Sequence, residues 1–144
     1  MAKRKYKQGR FIPVNKEKYV GDISKIQYRS SWEQKFMLFL DMNPSISWWN
    51  SEEVVIPYIF SIDGTSHRYF VDFMVQLSDG RKFLIEIKPM KDTIIKENHK
   101  NKKQAMDNIT TVIKNENKWE AAKKFCEEND MKFLVLTEKE LFGK

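Results

Sequence analysis

The stretch Tyr69–Met90, "YFVDFMVQLSDGRKFLIEIKPM", contains two β-branched and aromatic runs separated by Ser78-Asp79-Gly80. Asp-Gly between two such runs predicts a hairpin. Each run is interrupted by charge: Asp72 in the first, Glu86 and Lys88 in the second. A buried carboxylate is costly unless it is paired, hydrogen-bonded or holding a metal. Strand alternation puts Phe83, Ile85 and Ile87 on one face and Leu84, Glu86 and Lys88 on the other. Asp72 shares its face with Phe70 and Met74, so a hairpin in register sets Asp72 beside Glu86.

Upstream, "ISWWNSEEVVIPYIF" (Ile46–Phe60) reads as a strand, with Pro57 favouring an edge or bulge. Asp63-Gly64 turns it into the strand Arg68–Leu77, and Arg81–Lys88 follows, giving a three-stranded antiparallel meander. Before these, "SSWEQKFMLFLDMNP" (Ser30–Pro44) reads as a helix that Ser30 or Ser31 caps and Pro44 closes. On its helical wheel Glu33 falls inside the arc of Phe36, Met37, Phe39 and Leu40, facing the sheet. Gln34 and Asp41 fall on the opposite, solvated side. After Pro89 the periodicity predicts helices over about 98–115 and 117–129. Met131–Leu136 is then a short strand, and Thr137 with Glu140 forms a capping box for a last helix. A strand reached through a helical crossover pairs parallel to its neighbour. The expected class is α/β, a mixed sheet in the order α-β-β-β-α-β-α. Residues 1–20, with Pro13 and Gly21 as breakers, are expected to form a basic arm, and 21–144 a single domain.

Composition excludes several classes. With 41% hydrophobic and 32% charged residues, the chain is neither disordered throughout nor membrane-spanning, since no apolar run approaches ~18 residues. No apolar segment follows the basic start, so no secretory leader is expected. The lone Cys126 excludes an internal disulfide framework and a Cys-rich zinc site, and it fits a reducing cytosol. The net charge of +6 favours a polyanionic partner. Lys3, Arg4, Lys5, Lys7, Arg10, Lys16 and Lys18 crowd the start, and Lys88, Lys91, Lys96, Lys100, Lys102 and Lys103 follow the charged strand. Two basic stretches flanking a candidate site point to nucleic acid. Arg29, just before the first helix, can hold a phosphate at its N-terminus or pair with a neighbouring acid. Arg68 precedes the Asp72 segment and can approach DNA. Trp48, Trp49, Trp119 and Cys126 read as packing residues.

Glu33, Asp72, Glu86 and Lys88 facing a common centre suit metal-dependent phosphodiester hydrolysis. Hard carboxylate oxygens bind Mg²⁺ or Mn²⁺ and leave positions for phosphate and water. The metal lowers the pKa of bound water, and a lysine can orient that water or stabilise the phosphorane. A lone Glu-x-Lys on a strand is more often a cross-strand surface pair. An acid in a helix's apolar arc, an acid in an apolar strand and a Glu-x-Lys one hairpin later favour chemistry over structure.

In that order, "YRSSWE", "RYFVDF" and "FLIEIKP" resemble the PD-(D/E)xK nucleases, in particular their TnsA-like branch. The likeness extends, through "SEEVVIPY" and "NKWEAAKKF" as well, to the head-completion nucleases of large contractile-tailed bacteriophages. The resemblance implies a restriction-endonuclease-like core and Mg²⁺-dependent DNA cleavage. It implies Asp72, Glu86 and the backbone carbonyl of Ile87 as metal ligands, Glu33 as the helix-borne acid that orients the site and a further candidate ligand, and Lys88 as the catalytic lysine. The strict motif has proline before the aspartate, where this chain has Val71. The implied setting is DNA processing in the host cytoplasm or the virion head, with portal or head proteins as partners. Double-strand cleavage by one small site points to a homodimer. Two alternatives stay open: a non-enzymatic DNA-binding head plug, and a resolvase or transposon-type nuclease.

Overall fold

A computed structural model describes residues 8–143. Its centre is a four-stranded mixed sheet of β3 (Ile46–Ser51), β6 (Phe73–Leu77), β7 (Lys82–Ile87) and β8 (Lys132–Leu136), in that spatial order. β6 pairs antiparallel with both β3 and β7, and β8 joins β7 in parallel through the crossover helix α2 (Lys102–Glu128). With α1 (Ser31–Met42) before the sheet and α3 (Glu138–Phe142) after it, the helices and the strands of this central sheet follow the expected order α-β-β-β-α-β-α. Thr137 and Glu140 make the capping box that the sequence predicts. One helix, not two, fills 102–128; no glycine or proline interrupts those residues.

The sheet separates two apolar layers. Phe36, Met37 and Leu40 of α1 pack with Trp49, Phe73, Val75, Ile85 and Ile87 on one face. Leu84 packs on the other with Ala122 and Cys126 of α2. The β7 alternation read from the sequence is therefore the one observed. Trp49 is a core residue, while Trp48 and Trp119 are half-buried.

The meander differs from the expectation in one instructive respect. Ile46–Phe60 is not one strand but β3 and β4 (Val55–Phe60), and 68–77 likewise splits into β5 (Thr65–Phe70) and β6. β4 and β5 pair as a separate two-stranded ribbon. Between the Ser51–Phe73 and Val55–Phe70 pairs, Glu52, Glu53 and Val54 lie opposite only Val71 and Asp72. The Glu52 amide donates to the Asp72 carbonyl at 3.2 Å and the Val71 amide to the Val54 carbonyl at 3.0 Å, so the ladder bends without parting. Glu52 absorbs the extra residue in a left-handed conformation, φ 57°. The bend carries the ribbon over the α2 layer, where Ile56, Tyr58, Phe60, Tyr69 and Val71 are buried.

The described part of the expected arm is built into the fold. β1 (Gly9–Arg10) pairs with β2 (Gln27–Tyr28), and Phe11 and Tyr19 are buried against Trp49. The Lys18 ammonium donates to the carbonyls of Leu40, Asp41 and Asn43 at 2.8–3.0 Å, closing the C-terminus of α1. A boundary at residue 20 therefore does not separate residues 8–20 from the domain. Lys3, Arg4, Lys5 and Lys7 lie outside the described residues.

Candidate active site

Continuing the Phe73–Ile85 pairing by one residue sets Asp72 opposite Glu86. The register brings them together as the hairpin reading requires. The Ile87 amide donates to Asp72 Oδ2 at 2.8 Å, and Oδ1 accepts no hydrogen bond from the described residues. Both Glu86 oxygens are engaged: the Tyr69 hydroxyl donates to Oε1 at 2.5 Å, and Lys88 Nζ lies 3.2 Å from Oε2. The Glu86 side chain is only 5% exposed and that of Lys88 24%. Two acids and a lysine thus share one end of the sheet, where β6 begins and β7 ends.

The electrostatics follow from that crowding. Burial pushes the Asp72 carboxyl well above its usual value, and the charges of Glu86 and Glu33 push it further, against the Ile87 amide and Lys88. Burial likewise raises Glu33, helped by Glu52 and Glu86 and opposed by the Arg29 amide and charge. For Lys88 burial works against the charge, but Glu86 and Asp72 outweigh it and the pKa is raised. Lys88 is therefore an ammonium here. Burial also raises Tyr69 far above its usual range, and Glu86 adds to this, so the phenol stays protonated and donates.

Glu33 is half-buried on the first turn of α1, which Ser30 caps by accepting from the Glu33 amide. Its carboxylate accepts from the Arg29 amide at 3.2 Å and reaches Asp72 and Glu86 through its field, with no hydrogen bond to either. Arg29 is held in a two-pronged pair with Glu52 at 3.0 Å on both prongs. Of the two roles open to Arg29, the structure shows the ion pair. An open groove of about 610 Å³ beside Glu33 carries both signs of charge, with Arg29 and Lys91 lining it alongside Glu33, Asp92 and Glu138. Arg68 lies elsewhere, over the Phe70 ring on the exposed face of the ribbon. Arg10 is exposed on β1.

Two residues at the centre escape the sequence reading. An unbroken strand over 68–77 would point Tyr69 and Asp72 to opposite faces; the bend at Val71–Asp72 reverses the alternation and aims both at Glu86. Lys118, from α2, lies over the Tyr69 ring, and only a helix phase measured against the sheet would have placed it there.

The side-chain oxygens that face each other here belong to two carboxylates, both hard donors. Among the described residues no group of three or more His, Cys, Asp or Glu side chains is arranged to hold a metal. Such a set fits Mg²⁺ or Mn²⁺, which bind through one or two carboxylates and keep waters, and does not fit zinc. Asp72, whose charge is disfavoured where it stands, would be relieved by a cation.

This frame, with paired acids and a lysine at one end of a mixed sheet, is that of the restriction-endonuclease-like enzymes. The chain belongs to the TnsA-like endonuclease family, whose N-terminal domain model matches residues 43–138. It is also similar to the head completion nuclease of Enterobacteria phage T4, 44% identical over 135 residues that span 90% of each chain.

Proposed function

We infer that this chain is a Mg²⁺- or Mn²⁺-dependent endodeoxyribonuclease that processes phage DNA while heads are completed. The observation that carries the chemistry is the meeting of Asp72, Glu86 and Lys88, held by the Ile87 amide and the Tyr69 hydroxyl. The phage setting is supported by the likeness to the T4 protein over most of both chains.

Asp72, Glu86 and the Ile87 carbonyl would hold the ion: Asp72 Oδ1 accepts no hydrogen bond from the described residues, and each engaged Glu86 oxygen keeps a second lone pair for it. A bound ion supplies a water of lowered pKa and offsets the charge that develops on the phosphorane. The protein's own groups do the positioning. Tyr69 and Lys88 fix both Glu86 oxygens, so that carboxylate cannot turn. Glu33 adds negative potential from the groove side. Lys88, held cationic while Glu86 and Asp72 are unneutralised, can donate to a non-bridging phosphate oxygen or orient the attacking water. In the groove, Lys91 faces the DNA backbone; Arg29 keeps Glu52 until a phosphate competes for it. Arg10, Arg68 and the basic residues Lys3, Arg4, Lys5 and Lys7 extend the electrostatic footprint. A second copy of the chain and a portal or head protein are the proposed partners, in the host cytoplasm or the assembling head.

The test is nicking of supercoiled plasmid. The expected result is conversion to open-circle and linear forms in Mg²⁺ or Mn²⁺ and none in EDTA. Salt-dependent DNA binding with no cleavage of linear, nicked or four-way DNA in either metal would sink the nuclease reading and leave a DNA-binding plug. Cleavage confined to four-way junctions would place the enzyme among resolvases.

A further inference from the structure

Lys114 and Lys118 stand on successive turns of α2 and face the β4–β5 ribbon. The Lys114 ammonium lies 5.3 Å from the centre of the Phe60 ring, and that of Lys118 5.4 Å from the centre of the Tyr69 ring. Both residues are half-buried. An acid three or four residues away stabilises a lysine on a helix. Around Lys114 those positions hold Thr110, Thr111, Asn117 and Lys118; around Lys118 they hold Lys114, Asn115, Ala121 and Ala122. The partner at the right spacing is thus a second cation, which destabilises a helix. The ion pairs among the described residues include neither lysine.

The ring beneath Lys118 belongs to the tyrosine whose hydroxyl holds Glu86 Oε1. Glu86 is therefore bordered by Lys88 through one oxygen and by the Tyr69–Lys118 stack through the other. Two like charges paired on a helix, half out of water and in no ion pair among the described residues, fit a surface built for an anion that arrives from outside. We propose that Lys118, with Lys114 one turn before it, binds the phosphate backbone of the DNA strand beside the bond being cut. Burial lowers the Lys118 pKa; the charges of Glu86 and Asp72 oppose this, and those of Lys88 and Lys114 add to it, so the ammonium is held short of full compensation. The assignment rests on the nuclease reading of the neighbouring acids and adds a contact from α2, on the opposite layer from α1 and the groove.

The experiment is DNA binding by fluorescence anisotropy across a salt series in EDTA, where no turnover occurs. Wild type, Lys118→Gln, Lys118→Arg and the Lys114→Gln/Lys118→Gln double variant are compared, with thermal melting of each and of Lys118→Met. A phosphate contact adds about 0.9 to the slope of log affinity against log salt. The slope should therefore fall by about 0.9 in Lys118→Gln and roughly twice that in the double variant, equally on unrelated sequences, and Lys118→Arg should restore it. Lys118→Met should melt close to wild type, because methionine keeps an apolar contact with the Tyr69 ring and the ammonium has no ion pair among the described residues to lose. Slopes equal to wild type in the Gln variants, or a Lys118→Met protein that melts well below wild type, would overturn the assignment. The nuclease reading fails separately, if Asp72→Ala protein cleaves plasmid like wild type.

Discussion

Asp72→Ala protein should fold, bind DNA and lose metal-dependent cleavage by about 10³-fold or more. That factor is what removal of a group acting on the reacting centre commonly costs. Asp72 faces Glu86 directly across the sheet end and keeps Oδ1 free of hydrogen bonds from the described residues, whereas Glu33 stands off on α1 with no hydrogen bond to either acid, so Glu33 does not replace it. Glu86→Ala should lose about as much, because it also leaves Lys88 and the Tyr69 hydroxyl without their acceptor. Plasmid nicking at saturating Mn²⁺, corrected for folded fraction by circular dichroism, is the measurement. Full activity in either variant would mean that these acids do not carry the reaction.

The same carboxylate makes a second, independent prediction about stability. The folded protein raises the Asp72 pKa, by burial first and then by Glu86 and Glu33. Between the ordinary carboxylate value and the raised one, the native state binds more protons than the unfolded state. Unfolding free energy from this group therefore falls as pH rises through that window. Asp72→Asn keeps an acceptor for the Ile87 amide and removes the charge. It should flatten that part of the curve and stabilise the metal-free protein near neutral pH, on the order of 1–3 kcal/mol. Added Mg²⁺ should stabilise wild type and not Asp72→Asn. Urea melts at several pH values, with and without metal, check all three statements; an Asp72→Asn protein less stable than wild type at neutral pH contradicts them.

What was legible in the sequence is what local pattern controls. The period-two alternation of β7, the register of Asp72 against Glu86, the Thr137 capping box and the parallel return of β8 follow from neighbouring residues and simple connection rules. Each is found as read. The bend at Glu52–Val54 and Val71–Asp72 was not legible, because Glu52 is no glycine and nothing local announces its left-handed backbone. That conformation is compatible with the fold because Arg29 grips the Glu52 carboxylate from the start of α1, a contact 23 residues distant in the chain. Missing the bend hid Tyr69, since the alternation reverses there. Lys118 was hidden for a different reason: a helix phase is visible in a sequence, but the layer it is turned towards is not.

Asp41 shows the same limit on a larger energetic scale. A wheel drawn for α1 alone assigns it to solvent, yet its side chain is fully buried. The reason lies in residues 8–20, which wrap around the end of α1 and offer the amides of Val14 and Asn15 to its carboxylate at 2.8 and 3.1 Å. Asn15 Nδ2 and the Lys18 ammonium reach the Asp41 carbonyl at 2.9 and 3.0 Å, so helix end and N-terminal segment form one hydrogen-bonded unit. Asp41→Ala would leave two partly buried amides without acceptors, at a cost of roughly 3–5 kcal/mol. Against a total stability of about 5–15 kcal/mol, this is among the most damaging single changes away from the active site. Asp41→Asn, which retains one acceptor oxygen, should lose about half as much. Chemical denaturation measures both, and an Asp41→Ala protein within 1 kcal/mol of wild type would show that the wrap contributes little. Cleavage per folded molecule should be unchanged, which separates Asp41, whose carboxylate holds the fold together, from Asp72, whose carboxylate strains it and serves the reaction.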